Sequence, residues 1–539
     1  MSLTHPLLWN PEQPNLYAAR VEVLRNNQVV DTQTTSFGIR EFHFDPATGF
    51  WLNGKNFKLF GCCLHQDAGA LGIAAPIGVW KQRLEELRSI GCNAIRTSHN
   101  PPDPAFLDLC DRMGFLVMDE MFDVWTVGKT PLLSRQTLND YHLYYRDWWR
   151  ADVTNTVLRD RNHPCVILYS AGNEIHDIRA NSDLGFQIFR PLRDLYHQLD
   201  PTRPVTLALL RPNQTGVYKN GFADLLDVVG QNYRENELVA AHAEHPQWKI
   251  IGTENHLDPE AWDYLRDTPA YSGQFIWTGF DYLGESIGWP TVGSGSGLFD
   301  RTGLAKPQAY QAQSWWTHKP MVYVARVVAV PRLDLPPAEL GMDMGPRIRS
   351  RLVSDWTERV AGRMERVQVF TNCQNVELLL DNKSLGVQDR SADDEPLEWN
   401  VPFAAGTLKA VARNEGKVAV TYELRTAGPA AAVKLVTDRN AIRAGDDDAI
   451  YIRARVVDKD GTVVPDANNL IAFTLNGPGK IVAVDSADNT CHDPFRASQR
   501  HAYQGQCVAI VEGTSAGKIV VNSTANGLSP SRATIQINP

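Results

Sequence analysis

In this chain of 539 residues, the groups best placed to do chemistry are two glutamates that end two runs of the same design. Cys165 to Glu174 reads C-V-I-L-Y-S-A-G-N-E, apolar or small through Ala171, with His176 and Asp177 close behind. Trp248 to Glu254 reads W-K-I-I-G-T-E and also closes on a carboxylate. Two carboxylates on either side of one bond can divide the work of breaking it. One donates a proton to the leaving group, and the other attacks the centre it leaves. Both must then sit on rigid elements. Short apolar runs with β-branched residues read as strands buried on both faces, and the C-terminal mouth of such strands is where barrel enzymes hold their reactive groups.

The positioning elements recur over residues 47–325 as alternating strand and helix. Strands are expected over 58–65, 94–99, 116–120, 165–174, 204–209, 228–233, 248–254 and 273–282. Helices are expected over 80–90 and 105–113, with Gly91 and Gly114 as stops, and over roughly 183–199. Eight strands over this length predict a (β/α)8 barrel. Nearly every mouth carries a polar or aromatic group: His65, His99, Glu120, Glu174, Tyr233, Glu254 and Asp281. A barrel built for stability alone does not need them.

Residues 1–46 read as part of an immunoglobulin-like β-sandwich, with strands over 16–24 and 28–31 joined by Arg25-Asn26-Asn27. So few strands bury too little core to stand alone, so they are expected to pack on the barrel or to be covered by another subunit. After Pro320 the helical pattern stops. A β-sandwich is expected over 326–428, with hairpin strands 367–371 and 376–380, and a second immunoglobulin-like sandwich over 429–539, with strands 450–457, 507–511 and 518–522. The fold class is therefore α/β plus all-β: a TIM barrel followed by two sandwiches and preceded by a partial one.

Composition bounds the partners. The net charge of −9 argues against nucleic acid, and no apolar run approaches the roughly 20 residues that span a bilayer. The opening residues carry no signal-peptide pattern, which leaves periplasm and cytoplasm both open. The eight cysteines show no metal-binding spacing. Cys491 and Cys507 are near enough in sequence for a bridge to be considered. Fourteen tryptophans are many for this length, and their faces suit sugar rings.

At these residues the chain resembles the family 2 glycoside hydrolases, the group of β-galactosidases, β-glucuronidases and β-mannosidases. The resemblance rests on Gly61 to Asp67 (G-C-C-L-H-Q-D), Arg96 to Pro101 (R-T-S-H-N-P), Met118-Asp119-Glu120, Ser170 to Glu174 (S-A-G-N-E) and Gly252-Thr253-Glu254. It implies that Glu174 is the acid/base and Glu254 the nucleophile. It also implies that His65, Arg96, His99 and Asn173 line the sugar site, that Tyr233 attends the nucleophile, and that Trp277 and Asp281 form a sugar platform. Cleavage with retention then expects carboxyl groups roughly 5–5.5 Å apart.

Two departures stand out. Residues 1–46 match only the end of the sandwich that family members carry before the barrel, so the N-terminal jelly-roll domain is expected to be missing. Metal-dependent β-galactosidases of the family carry an E-x-H pair after the Asp-Glu strand end, where this chain has Val124 and Thr126. No metal or other cofactor is expected. The leading reading is an exo-acting retaining β-galactosidase acting on a β-galactoside or related oligosaccharide, with a homo-oligomer left open. The alternatives are a β-glucuronidase or other β-glycosidase of the family, or a carbohydrate-binding protein without turnover.

Overall fold

The structure is a computed structural model that describes residues 3–129, 139–179, 182–286, 288–329, 350–358, 360–445 and 447–539. Part of the expected 326–428 sandwich, residues 330–349, lies outside them. The chain separates into two compact units, Met1–Gln66 with Cys92–Trp277, and Asp67–Gly91 with Thr278–Asp334 and Gly345–Pro539.

The first unit contains an eight-stranded parallel sheet. Its strands are β1 (Leu59–Leu64), β2 (Ala94–Thr97), β3 (Leu116–Glu120), β4 (Val166–Asn173), β5 (Val205–Leu209), β6 (Val229–Asn232), β7 (Ile250–Glu254) and β8 (Gly273–Ile276). From β1 to β7 each strand pairs with the next in sequence, β8 pairs with β1, and β7 meets the β8 segment only through isolated bridges at Ile250–Tyr271 and Asn255–Ile276. The ring closes where Asn255 N–H donates to Phe275 O at 2.9 Å and Trp277 N–H donates to Asn255 O at 3.0 Å. Every residue of β2, β3, β4, β5, β6, β7 and β8 is buried, which is why these strands open on apolar or small residues and gather their polar groups toward one end. Gly61 lets β8 come close, because a Cβ there would lie 2.4 Å from the Phe275 ring. The helix Pro104–Met113 shows how its ends are written in sequence. Asp103 accepts from Ala105 N–H at 2.8 Å and Pro104 opens the first turn. Gly114 ends the helix with φ at 71°.

Two expectations are corrected in the barrel. A helix over Tyr145–Asp160, between β3 and β4, was not anticipated. Its apolar periodicity is weak because aromatic and charged residues alternate through Y-R-D-W-W-R. The eighth strand stops at Ile276 instead of running to 282, and Tyr282–Leu283 pairs instead with Gly293–Ser294 in a small antiparallel hairpin of the second unit. Asp281 therefore does not end a barrel strand.

The N-terminal strands are Tyr17–Arg25 and Gln28–Phe37, joined through Asn26 and Asn27 at φ 50° and 60°. Successive positive φ values suit a tight hairpin turn, and asparagine tolerates them. The expected packing is met only in part. Trp9 is fully buried and donates to Asp111 O at 2.9 Å. Arg40 donates to the backbone carbonyl oxygens of Pro164 and Val166, the latter at 2.6 Å, tying the segment to the start of β4. The hairpin itself stays open: Val21, Val23, Leu24, Val29 and Val30 are more than half exposed.

In the second unit, strands Val322–Ala329, Met364–Thr371 and Leu397–Pro402 form one sheet with Ser350–Val353. It shares a core with the sheet built on Asn375–Leu380 and Thr407–Asn414, including Val324, Trp356, Val369, Leu378, Trp399 and Leu408. A second two-sheet core holds Ile450, Ile452, Ile471, Phe473, Val511 and Ile535. These are the sandwiches expected from the alternation of apolar and polar residues. Cys491 and Cys507 are both free thiols, so the considered bridge is absent. Cys507 is buried inside its sandwich on a strand paired with Ala449–Val457, whereas Cys491 lies on a half-exposed loop. Among the described residues no helix is long and apolar enough to cross a membrane.

Candidate active site

Arg96 is the hub of the polar groups inside the first unit. It projects from β2 with no exposed surface. Its Nε and Nη2 each donate to the Glu120 carboxylate at 2.9 Å, its Nη1 donates to Glu254 Oε1 at 2.8 Å, and its Nη2 donates to Asn173 Oδ1 at 2.9 Å. One guanidinium thus locks the ends of β2, β3, β4 and β7 into one arrangement, a use of its planar fork that lysine could not match. Burial weakens its hold on the proton, but Glu120 and Glu254 outweigh burial, so its pKa is raised. Glu120 also accepts from Ser170 Oγ at 2.6 Å.

Glu254 ends β7 and is 5% exposed. Burial pushes its carboxyl up to about 7. Arg96 opposes the rise, and the charge of Glu174 adds to it. The guanidinium favours the ionised form, but burial outweighs it. Tyr233 follows β6 at φ 54°, and its N–H donates to Glu254 O at 2.5 Å. Its hydroxyl bonds the Glu254 side chain. Burial first, then Glu254 and Glu174, raise the phenol pKa.

Glu174 follows β4 with φ at 44°, and its N–H donates to Ala208 O at 2.8 Å. A glutamate rarely adopts this left-handed conformation, and backbone strain of this kind gathers at functional positions. Asn232 Nδ2 donates to Glu174 Oε1 at 3.3 Å and to Asn173 Oδ1 at 3.0 Å, while its own Oδ1 accepts from Thr253 Oγ1 at 2.7 Å. The threonine fixes which way the Asn232 amide points.

The wall beside these groups is aromatic. His99 stacks on Trp277 with ring centres 5.2 Å apart and planes at 6°. His65 stands edge-on to both, at 5.4 Å from His99 and 5.2 Å from Trp277. His99 Nδ1 lies 2.7 Å from Glu120 Oε1. Burial, then Arg96, hold His99 well below its ordinary pKa, so the ring is neutral. The carboxylate claims the Nδ1 proton, which leaves Nε2 as an acceptor, 3.4 Å from Asn173 Nδ2.

The structure thus brings eight of the nine expected residues together: His65, Arg96, His99, Asn173, Glu174, Tyr233, Glu254 and Trp277. Asp281 lies in the second unit, where it accepts from Lys306 Nζ and from Gly297 N–H, at 2.7 and 2.8 Å. Sequence reasoning did not single out Asn232, Asp123 or Lys129. Asp123 accepts from Asn173 Nδ2 at 3.1 Å and pairs with Lys129 at 3.2 Å, and Lys129 also donates to Asn173 O at 3.0 Å. Burial raises the Asp123 pKa, but the Lys129 charge and the hydrogen bonds from Asn173 and Lys129 outweigh it and the net shift is downward. The only signals for these residues were their places three residues past Glu120 and one before Tyr233. Of the two positions compared with a metal-ligand pair, Val124 is buried and apolar and the Thr126 hydroxyl bonds Asp177. Neither supplies the carboxylate or imidazole of that pair. Among the described residues, Asp111, His163 and Cys165 are the one grouping with metal-ligating chemistry. Asp111 already accepts from Cys165 N–H at 2.9 Å and lies 2.6 Å from His163 Nδ1.

The chain matches the family 2 glycosyl hydrolase TIM barrel domain over residues 47–257, the family's C-terminal domain 5 over 433–534 and a further family 2 domain over 1–40. It also matches a domain of unknown function over 362–420. It is 32% identical to β-galactosidase BoGH2A of Bacteroides ovatus, across 98% of this chain and 67% of that one. A putative β-glucuronidase of Formosa agariphila is 30% identical over 90% of this chain and 48% of its own length. The crystal structure of a family 2 member from Bacteroides cellulosilyticus superposes with a TM-score of 0.89 at 33% identity, covering 99% of this chain and 69% of that one. The chain belongs to glycoside hydrolase family 2, and it is an enzyme that hydrolyses glycosides. It spans about half to two thirds of the length of these curated relatives.

Proposed function

We propose that the protein is an exo-acting, retaining β-galactosidase. The reading is carried by two glutamates at the ends of β4 and β7, Glu174 held by Asn232 and Glu254 by Arg96. Glu254, ionised and held by Arg96 and Tyr233, attacks the anomeric carbon. Glu174 passes its proton to the departing glycosidic oxygen as that bond breaks, and a glycosyl ester of Glu254 forms. Glu174, now a carboxylate, takes a proton from water. The water oxygen displaces Glu254 and the β-configured sugar leaves. Asn173, aligned by Arg96 and Asn232, offers its amide to a sugar hydroxyl. Trp277, backed by His99, offers a ring face.

A neutral sugar is favoured over a uronate by the charges that face the site. Arg96 is shared between Glu120 and Glu254, and Lys129 is paired with Asp123. Neither cation is left to a substrate carboxylate, and the Asp123 carboxylate would repel one. The relatives named β-glucuronidase keep that sugar as the second reading. A panel of nitrophenyl β-glycosides tests the choice. Turnover of the β-galactoside at least about tenfold above the β-glucuronide, a margin of about 1.4 kcal/mol in transition-state binding, is the expected result. The opposite ranking refutes it. Proton NMR of the first-formed product must show the β-anomer.

A further inference from the structure

Trp289 is the most exposed large apolar side chain among the described residues, at 80%. Such a ring would ordinarily fold onto neighbouring surface, because indole carries a large apolar area. Here the loop is braced against that. Tyr282–Leu283 and Gly293–Ser294 pair at its base. His492, from a loop of the C-terminal sandwich, stacks on the indole with ring centres 4.0 Å apart and planes at 27°. Its Nε2 lies 2.8 Å from Pro290 O. Val292 N–H donates to Asn489 O at 2.9 Å. The Asn489 side chain accepts from Arg301, whose Nε and Nη2 each reach Asp485 at 3.1 Å. Arg301 and Asp485 are 2% and 1% exposed. A buried ion pair thus anchors the two loops that together present one indole to solvent. One face of that indole is filled by imidazole, and the rest of the ring is open.

A large ring held by a stacking partner and a backbone contact loses less entropy when a ligand covers it than a freely rotating one does. The ligand that matches in an enzyme acting on glycosides is a pyranose. Its C–H bonds gather on one face into an apolar disc of about the area of indole, and its hydroxyls point to the rim and stay in water. We propose that Trp289, backed by His492, is a stacking platform for a neutral sugar unit of an oligosaccharide. The class of ligand rests on the glycosidase reading. The identity of the cleaved sugar does not enter.

Calorimetric titration of the Glu254→Gln protein, which binds without turnover, tests this with β-1,4-galactotetraose, cellotetraose and methyl β-galactoside. Adding Trp289→Ala is expected to weaken at least one tetraose about fivefold or more, with a much smaller change for the monosaccharide. Trp289→Phe, which keeps a ring, is expected to retain most of the affinity. His492→Ala should fall between them. The proposal is overturned if Trp289→Ala binds both tetraoses as the parent does. It is equally overturned if tetraose and monosaccharide weaken together, or if Phe is as damaging as Ala. Nitrophenyl galactoside turnover by the unaltered enzyme is read separately, so failure of the galactosidase reading cannot be mistaken for failure of the platform.

Discussion

At the scale of single residues, the two glutamates make separable predictions. Glu254→Ala should abolish trapping of a glycosyl-enzyme. Glu174→Ala should slow substrates with poor leaving groups most, because a good leaving group needs little protonation. Azide should rescue Glu174→Ala by forming a β-glycosyl azide, detected by mass spectrometry and NMR. The double variant should lose little beyond the worse single one, since the residues act in sequence. Near-normal turnover of Glu254→Ala would refute the assignment. The raised pKa of Glu254 adds a pH signature. With its folded value at about 7, kcat/KM should fall on the acid side of neutrality. For stability the sign is the reverse of an ordinary ion-paired carboxylate. Below the unfolded value, 4.5, both states hold the proton. Between 4.5 and about 7 only the folded state keeps it, so stability falls as pH rises. Above about 7 the full penalty remains, about 3 kcal/mol from the size of the shift. Glu254→Gln should therefore raise Tm at pH 8 and lose most of that gain at pH 5. An equal gain at both pH values would show that ionisation is not the cause.

At the scale of elements, the barrel strands and the N-terminal hairpin are opposites. Strands β2 to β8 are buried throughout, so their amides should exchange only on global or large sub-global opening. Among the described residues, Tyr17–Arg25 and Gln28–Phe37 pair only with each other, with exposed side chains along nearly their whole length. A lone two-stranded ribbon is marginal in water. Hydrogen exchange should find its amides orders of magnitude less protected than those of β4. Replacing Val21 and Val29 by threonine should change stability by less than about 0.5 kcal/mol each, because both are exposed. Strong protection of the hairpin in dilute protein would mean that something covers it.

At the scale of the whole molecule, each unit contains a buried arginine compensated by carboxylates: Arg96 by Glu120 and Glu254 in the first, Arg301 by Asp485 in the second. Removing one partner leaves the other uncompensated in a low dielectric. Arg301→Ala should cost about 3 kcal/mol, seen as a lower denaturation midpoint. Arg500, 3.6 Å from Asp485, tempers the loss. Arg301→Met with Asp485→Leu should recover part of it, since an apolar pair removes both desolvation costs. If the double variant is worse than the single, the pair contributes more than its own compensation.

The sequence by itself determined the barrel, the two sandwiches and the ends of the strands that carry Glu174 and Glu254. Strands buried on both faces are mostly apolar or small until their polar C-terminal ends, and helix stops are written in glycine, so local chemistry is enough to read them. It also pointed to Arg96, His99, Asn173 and Tyr233, through motifs that place one polar group at each strand mouth. Only the tertiary structure decided how those groups are used. Arg96 serves four strand ends at once because ring closure brings β2 and β7 within reach of one guanidinium, a distance that no spacing in sequence encodes. Burial outweighs that cation at Glu254 because desolvation depends on everything packed around the carboxyl. Asp281 lies beyond the strand end because the backbone after Trp277 bonds to Ser296–Phe299 instead of continuing the barrel ladder. The Cys491–Cys507 bridge failed for the same reason: nearness along the chain says nothing of whether one cysteine points into a core and the other onto a loop.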